Sequence, residues 1–252
     1  MKSLKKISKY FNTTKKEVGF IKIYENYLKD FRFKKNNILE VGFTKDSLGM
    51  FKEYFPSSRL VGLDIRDEKI NLKNVQTYLG SQTDTKILDK IIKTHKNFDI
   101  IIDDGSHMNY DVKFTFNYLF NCLKYGGLYF IEDLQTSYIP NWGGDSFKMN
   151  NKNTIMNFLR SLADSIHYQE IDNPFYIKRK FDGQIGYVHI YKNIAVIKKE
   201  KNFYESNICF KNSVYLGMIK KREDFDFSRF RDLKKYTKYF IKYILNKLKI
   251  FD

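Results

Sequence analysis

This chain predicts an α/β architecture on a mostly parallel sheet, and three observations carry that prediction. Short apolar runs alternate with segments of helical spacing from about residue 38 to residue 131. Two of the runs, Phe98 to Asp103 and Leu128 to Ile131, are almost continuously apolar, as strands covered on both faces are. Each is followed by or ends in acid, Asp103-Asp104 in one case and Glu132-Asp133 in the other, so four carboxylates gather at one sheet edge. In open α/β sheets, ligands bind outside the carboxyl ends of the strands.

Taken in order, residues 1–35 read as a helical N-terminal extension, and its centre, Val18 to Leu28, has apolar residues at helical spacing. Ile38 to Gly42 is the first strand. Leu48 to Phe55 forms a helix that Pro56 stops, because proline has no N–H to donate. Leu60 to Ile65 and Val75 to Gly80 are the next strands, followed by a helix from Thr85 to Lys96. The strand at Phe98 leads through an acidic-histidine turn into a helix. The Gly126-Gly127 turn then opens the fifth strand. Strands alternating with helices imply βαβ units and a parallel sheet. Further on, Asn153 to Gln169 reads as a helix. Gly186 to Tyr191 and Ile194 to Ile197 pair as an antiparallel edge hairpin through Lys192-Asn193. Residues 201–227 carry no clear pattern, and Ser228 to Asp252 reads as a basic helix with an aromatic-aliphatic stripe. Three segments result: the extension 1–35, the α/β domain 36–200 and the basic extension 201–252.

With 42% hydrophobic residues in 252, the chain can bury a sizeable core. No apolar run approaches the roughly 18–20 residues of a membrane span. The N-terminus is basic but lacks the apolar stretch of a secretory signal. Cys122 and Cys209 stand in no metal or redox spacing, so a reducing cytoplasm is the expected location. The net charge of +16 has two readings. One is an AT-rich coding sequence, which raises Lys, Asn and Ile together. The other is selection for an anionic partner, such as a nucleotide-linked sugar, a nucleic acid or an anionic membrane surface. The basic tail fits packing on its own domain or on a second subunit. It also fits peripheral contact with the inner face of a membrane, or contact with a nucleotide-linked acceptor. No recognisable nucleic-acid-binding module accompanies the charge, so no nucleic-acid partner is expected.

Glu40-Val41-Gly42, with Asp64 about one βαβ unit later, has the form of a nucleoside site. Gly42 allows close backbone approach, and Asp64 can accept both ribose hydroxyls. The full glycine cradle for a pyrophosphate is absent, since the turn runs Gly42-Phe43-Thr44-Lys45-Asp46-Ser47. S-adenosylmethionine (SAM) has no phosphate and needs no such cradle. The acidic edge with His107 suggests a hard metal ion beside a general base. The bland alternatives are a helix N-cap over Asp103 to Ser106 and a solvated strand end at Glu132-Asp133.

The ordered set ILEVG, VGLDI, GSQTD, FDIIIDDGSH and LKYGGLYFIEDLQTSY resembles the class I SAM-dependent methyltransferases. Within them it is similar to the macrocin/mycinamicin sugar O-methyltransferase family, from about Val18 to Lys199. The resemblance implies a Rossmann-like class I methyltransferase sheet and an O-methyltransferase that uses SAM and Mg2+. It implies Glu40 and Gly42 at the methionine end of the cofactor, Asp64 on the ribose, and Gln82 and Asp84 near the adenine. Asp103 is implied beside the cofactor, Asp104, Glu132 and Asp133 as magnesium ligands, and His107 as general base. Asp111 departs from the family, in which a second histidine is frequent there.

The chemistry suits the implied set. A sugar hydroxyl is hardly ionised at neutral pH, and a bound divalent ion lowers its pKa. Magnesium prefers oxygen ligands, and a histidine titrates near working pH. The expected acceptor is a sugar hydroxyl of a bacterial surface polysaccharide or its nucleotide-linked precursor. Two other functions remain open at this level: an RNA methyltransferase, supported by charge alone, and a degenerate Rossmann domain that binds partners without catalysis.

Overall fold

The computed structural model describes residues 2–202 except Pro174, together with Ser206, Cys209, Phe210, Ser213, Val214, Thr237, Lys238 and Ile241. The unread stretch 201–227 and the basic helix expected over 228–252 lie almost wholly outside the described residues.

Seven strands form one sheet, β1 (Asn37–Val41), β2 (Arg59–Asp64), β3 (Val75–Leu79), β4 (Phe98–Asp103), β5 (Leu123–Glu132), β6 (Ile185–Tyr191) and β7 (Ile194–Lys199), in the order β3-β2-β1-β4-β5-β7-β6. The first five are parallel, and β7 runs antiparallel between β5 and β6. The expected hairpin is therefore present, with β7 inside the sheet and β6 as its edge. Chain order reverses between β1 and β4, which is where open sheets place their ligands. Register aligns the strand ends there, Val41 beside both Leu63 and Asp103, and Asp103 beside Ile131.

Alternation along each strand divides the core in two. On one face Ile100, Ile102 and Phe130 meet Leu4 of α1 (Leu4–Ser8), Tyr24 of α3 (Phe20–Leu28) and Phe51 of α4 (Lys45–Tyr54). On the other, Ile101, Tyr129 and Ile197 meet Leu88 of α5 (Thr85–His95), Phe116 of α6 (Asn109–Leu119) and Leu159 of α7 (Ile155–Ile166). Burying each large apolar side chain contributes about 1.5–3 kcal/mol. The N-terminal segment thus covers one sheet face, and the short α2 (Thr14–Glu17) brings it to the strand ends.

Several element boundaries differ from the sequence reading, among them the starts of α4 and β5. Helix α4 begins at Lys45, before the apolar spacing starts, because Thr44 and Ser47 cap it reciprocally at 2.9 and 3.1 Å. Strand β5 begins at Leu123 and carries Gly126, at φ 86°, within it; its register with β4 slips between Phe98 and Ile100. A bulged strand is one that tolerates such a turn residue. No described helix is long and apolar enough to cross a membrane.

Candidate active site

The turns after β4 and β5 carry the acidic residues to the switch point. Asp104 N–H donates to Val41 O at 2.9 Å, which ties the β4 turn to the end of β1. Gly42, at φ 78°, lies so close to this turn that an added Cβ would overlap the Asp104 carbonyl and stand 2.6 Å from Gly105 Cα. Past the turn, His107 has φ 58°, and Asp133 after β5 has φ 55°. Non-glycine residues in this left-handed region are uncommon and cluster at functional sites. The 103–106 segment is not a helix cap: α6 starts at Asn109, its N-cap Met108 makes no side-chain cap, and Ser106 Oγ donates to Asp111 instead.

Asp104, His107 and Asp133 come together, with one ligand atom of each lying within 4.8 Å of the others. His107 Nε2 stands 3.3 Å from Asp133 Oδ2. Glu132, expected as a third metal ligand, lines the same cavity of about 380 Å3 but lies outside that group. Its Oε1 is held by Lys15 Nζ at 2.6 Å and by the Tyr24 hydroxyl. The same ammonium donates to Asp104 Oδ2 at 2.6 Å and lies 3.4 Å from Glu40 Oε1. Lys15 is 1% exposed and Glu40 fully buried. Separating one partner from such a buried ion pair costs about 3–5 kcal/mol.

Burial dominates the protonation of this cluster. It pushes Glu132 up to about 8, with the charge of Asp104 adding to it and Lys15 and Tyr24 pulling back. It pushes Glu40 up to about 7 against the opposing charge of Lys15. Burial alone would lower Lys15, but Glu132, Asp104 and Glu40 reverse that and hold its ammonium well above the usual range. Asp103 is likewise raised by burial to about 7, although Tyr129, Gly105 and Gln82 hydrogen-bond it.

A second cavity, of about 240 Å3, adjoins the first. Gly42, Asp64 and Gln82 line it, with Gly80, Ser81, Gly105 and Ser106. Gln82 is locked by Ser106 N–H, which donates to its Oε1 at 2.6 Å, and its Nε2 donates to Thr115 Oγ1 at 2.9 Å. Asp64 faces the cavity while paired with Arg66, whose Nε donates to Oδ1 at 2.9 Å. Asp84, expected near the adenine, lines neither cavity: it caps α5, accepting from Lys86 N–H at 2.9 Å. Glu40 and Asp103 lie behind the cavity walls, fully or almost fully buried. Glu40 Oε1 makes no hydrogen bond and has Lys15 Nζ at 3.4 Å as its neighbouring cation.

Beyond Asp133, short turns carry Tyr138 and Trp142, both partly exposed. Buried Asn109 fixes them: its Nδ2 donates to Thr136 O at 3.0 Å and Trp142 O at 2.8 Å, and its Oδ1 accepts from Ile155 N–H at 2.7 Å.

Lys15, Tyr24, Arg66 and Asn109 are absent from the sequence reading. Lys15 sits in a run of basic residues that looks solvated, and Tyr24 looks like one more apolar position on α3. Only the packing of α2 and α3 over the strand ends reveals their partners.

No family model matches the chain. It is 35% identical over 193 residues to mycinamicin VI 2''-O-methyltransferase of Micromonospora griseorubida, covering 71% of this chain and 47% of that protein. It is also 35% identical over 193 residues to demethylmacrocin O-methyltransferase of Streptomyces fradiae, 71% of this chain and 48% of the relative. The chain spans about half the length of the curated relatives it matches. Among solved structures it resembles the MycE methyltransferase of the mycinamycin biosynthetic pathway in complex with Mg, SAH and mycinamycin VI. That likeness has a TM-score of 0.76 and 33% identity, over 81% of this chain and 55% of that one.

Proposed function

Because the chain is a homologue of the macrocin/mycinamicin-type sugar O-methyltransferases and has the Rossmann-like class I methyltransferase sheet, we propose that it transfers a methyl group from S-adenosylmethionine to a sugar hydroxyl with the help of Mg2+. The observation that carries this is the meeting of Asp104, His107 and Asp133 beside the cavity lined by Gly42, Asp64 and Gln82.

The residues suit both groups. Asp64 would take the ribose hydroxyls and Gln82 the adenine side, while Glu40 and Gly42 would shape the methionine end. Asp104, Asp133 and Glu132, all on one cavity, would hold the magnesium, which prefers oxygen. When bound, SAM supplies an electrophilic methyl group and the metal lowers the pKa of a neighbouring hydroxyl. His107, held with its Nε2 3.3 Å from Asp133 Oδ2, would take the hydroxyl proton on its other ring nitrogen, Nδ1, as the oxygen attacks in line. General-base help of this kind is worth roughly 10²–10⁴-fold. The Asn109-anchored turns with Tyr138 and Trp142 flank the acceptor side and present aromatic faces to the C–H surface of a sugar.

For the acceptor, the net charge of +16 favours an anionic carrier, which supports a surface-polysaccharide sugar or its nucleotide-linked precursor. The test is calorimetric titration of SAM with Mg2+ present, followed by methyl transfer to a panel of nucleotide sugars and glycosides. One SAM per chain, and a His107→Ala variant that keeps SAM binding while losing 10²-fold or more in rate, is the expected result. Undiminished transfer by His107→Ala would remove the base assignment. Transfer confined to uncharged glycosides would remove the anionic-acceptor reading.

A further inference from the structure

Lys15 is a buried cation at the centre of the carboxylates, and the proposed reaction gives it no part. Its Nζ lies 2.6 Å from Asp104 Oδ2, 2.6 Å from Glu132 Oε1 and 3.4 Å from Glu40 Oε1. Beside it Asp104 also belongs to the group formed with His107 and Asp133. Two cation positions therefore stand side by side and share Asp104. The inner one, among Glu40, Asp104 and Glu132, is filled by the ammonium. The outer one, on the cavity that Asp104, Glu132 and Asp133 line beside His107, is open.

We propose that Lys15 is a positioning residue of a two-cation centre, a tethered ammonium that fills the inner position permanently and leaves the outer one to a single divalent ion. This rests on the reading of the outer group as a metal site. Three features support a resident cation. Thr13 accepts from the Lys15 backbone N–H at 3.3 Å, and the preceding Asn12 N–H is held by Asp46 at 3.1 Å, so the lysine is anchored at its base. The Tyr24 hydroxyl shares Glu132 Oε1 with it. Without the ammonium, the buried Glu40 and Glu132 would face each other and Asp104 with no cation between them. In two-metal enzymes a pair of cations clamps the reacting oxygens. Here the inner charge is supplied by the chain, fixing one oxygen of Asp104 and one of Glu132.

The test titrates the full chain with Mn2+ alone and reads the bound ion by electron paramagnetic resonance. The wild type is expected to take one Mn2+ per chain with an uncoupled spectrum. Lys15→Ala is expected to take two, with the spin-coupled spectrum of an adjacent pair, because the vacated position keeps its three carboxylates. A Lys15→Ala chain that takes one ion with wild-type affinity would overturn the two-cation centre while leaving the outer site in place. A wild type that takes two would also overturn it, and one that takes none would overturn the metal reading as well. Should Lys15→Ala fail to fold, acetylation of the wild type with saturating Mn2+, read by mass spectrometry, decides the matter. Lys15 staying unmodified while exposed Lys5 reacts supports a resident cation. Lys15 becoming reactive when Mn2+ is added refutes it.

Discussion

Replacing Gly42 by alanine puts the close approach of the β1 and β4 turns to a direct test. Two costs combine at this position. The first is backbone strain: Gly42 has φ 78°, and an L-residue there costs about 1–2 kcal/mol. The second is contact, since the new Cβ would overlap Asp104 O and stand 2.6 Å from Gly105 Cα, where real Cβ atoms stay beyond about 3.0 Å. The neighbours are backbone, so the Asp104–Gly105 turn itself has to move, and with it the 2.9 Å bond from Asp104 N–H to Val41 O. Misplacing a catalytic group by roughly 1 Å costs on the order of 10²-fold. Gly126→Ala isolates the first cost, because Gly126 has φ 86° with nothing within 4 Å of the added Cβ. Thermal unfolding should fall by roughly 2–8 °C in Gly126→Ala and by more in Gly42→Ala. SAM and Mn2+ binding by calorimetry should be unchanged in Gly126→Ala and weakened in Gly42→Ala, whose methyl transfer should fall on the order of 10²-fold. Equal binding by the two variants would show that the Asp104 turn does not depend on the glycine.

Three further outcomes are expected. Asp103 is raised from the ordinary 3.8 to about 7, so the folded chain binds that proton more tightly than the unfolded one, and stability falls as pH rises from about 4 to 7. At 1.36 kcal/mol per pH unit, wild type should lose about 4 kcal/mol more than Asp103→Asn across that window in denaturant titrations; parallel curves would contradict the burial argument. Asn109→Ala removes three hydrogen bonds that anchor Thr136, Trp142 and Ile155, so a loss of about 2–4 kcal/mol and faster hydrogen exchange over 134–144 should follow; unchanged exchange would detach Asn109 from those turns. Asp64→Ala should weaken SAM by about 1.5–3 kcal/mol in calorimetry, and wild-type affinity in the variant would remove the ribose assignment.

Much of the architecture is legible because it depends on local pattern. Ile38 to Val41, Leu60 to Asp64 and Phe98 to Asp103 are strands both in the apolar spacing and in the structure, with Gly42 and Ile65, read as the ends of the first two, standing just past them. Pro56 ends α4 as its chemistry requires, with Tyr54 the last helical residue. Starts were harder to read: the Thr44–Ser47 cap depends on side chains turning back on the backbone, and apolar spacing does not register it. At the site, Gly42, Asp64, Gln82, Asp104, His107, Glu132 and Asp133 all line one of two adjoining cavities, because each ends a strand or follows one in the alternating pattern. Asp84 has the right neighbourhood in sequence but is used as a helix cap, since an aspartate just before a helix satisfies its free N–H groups.

By itself the sequence determined the α/β class, the strand ends and the acidic-histidine set, because apolar periodicity and turn chemistry act over a few residues. The tertiary structure alone decided that Lys15, 89 residues from Asp104 and 117 from Glu132, sits between them. It also decided that Tyr24 reaches Glu132 and that Asp104 meets Lys15 on one side and the group with His107 and Asp133 on the other. These contacts arise where an N-terminal segment folds across the ends of β1, β4 and β5. Nothing in the spacing of a basic run tells a solvated lysine from a buried one. The difference lies in which carboxylates the fold brings against it, and in the low-dielectric surroundings that make their charge decisive.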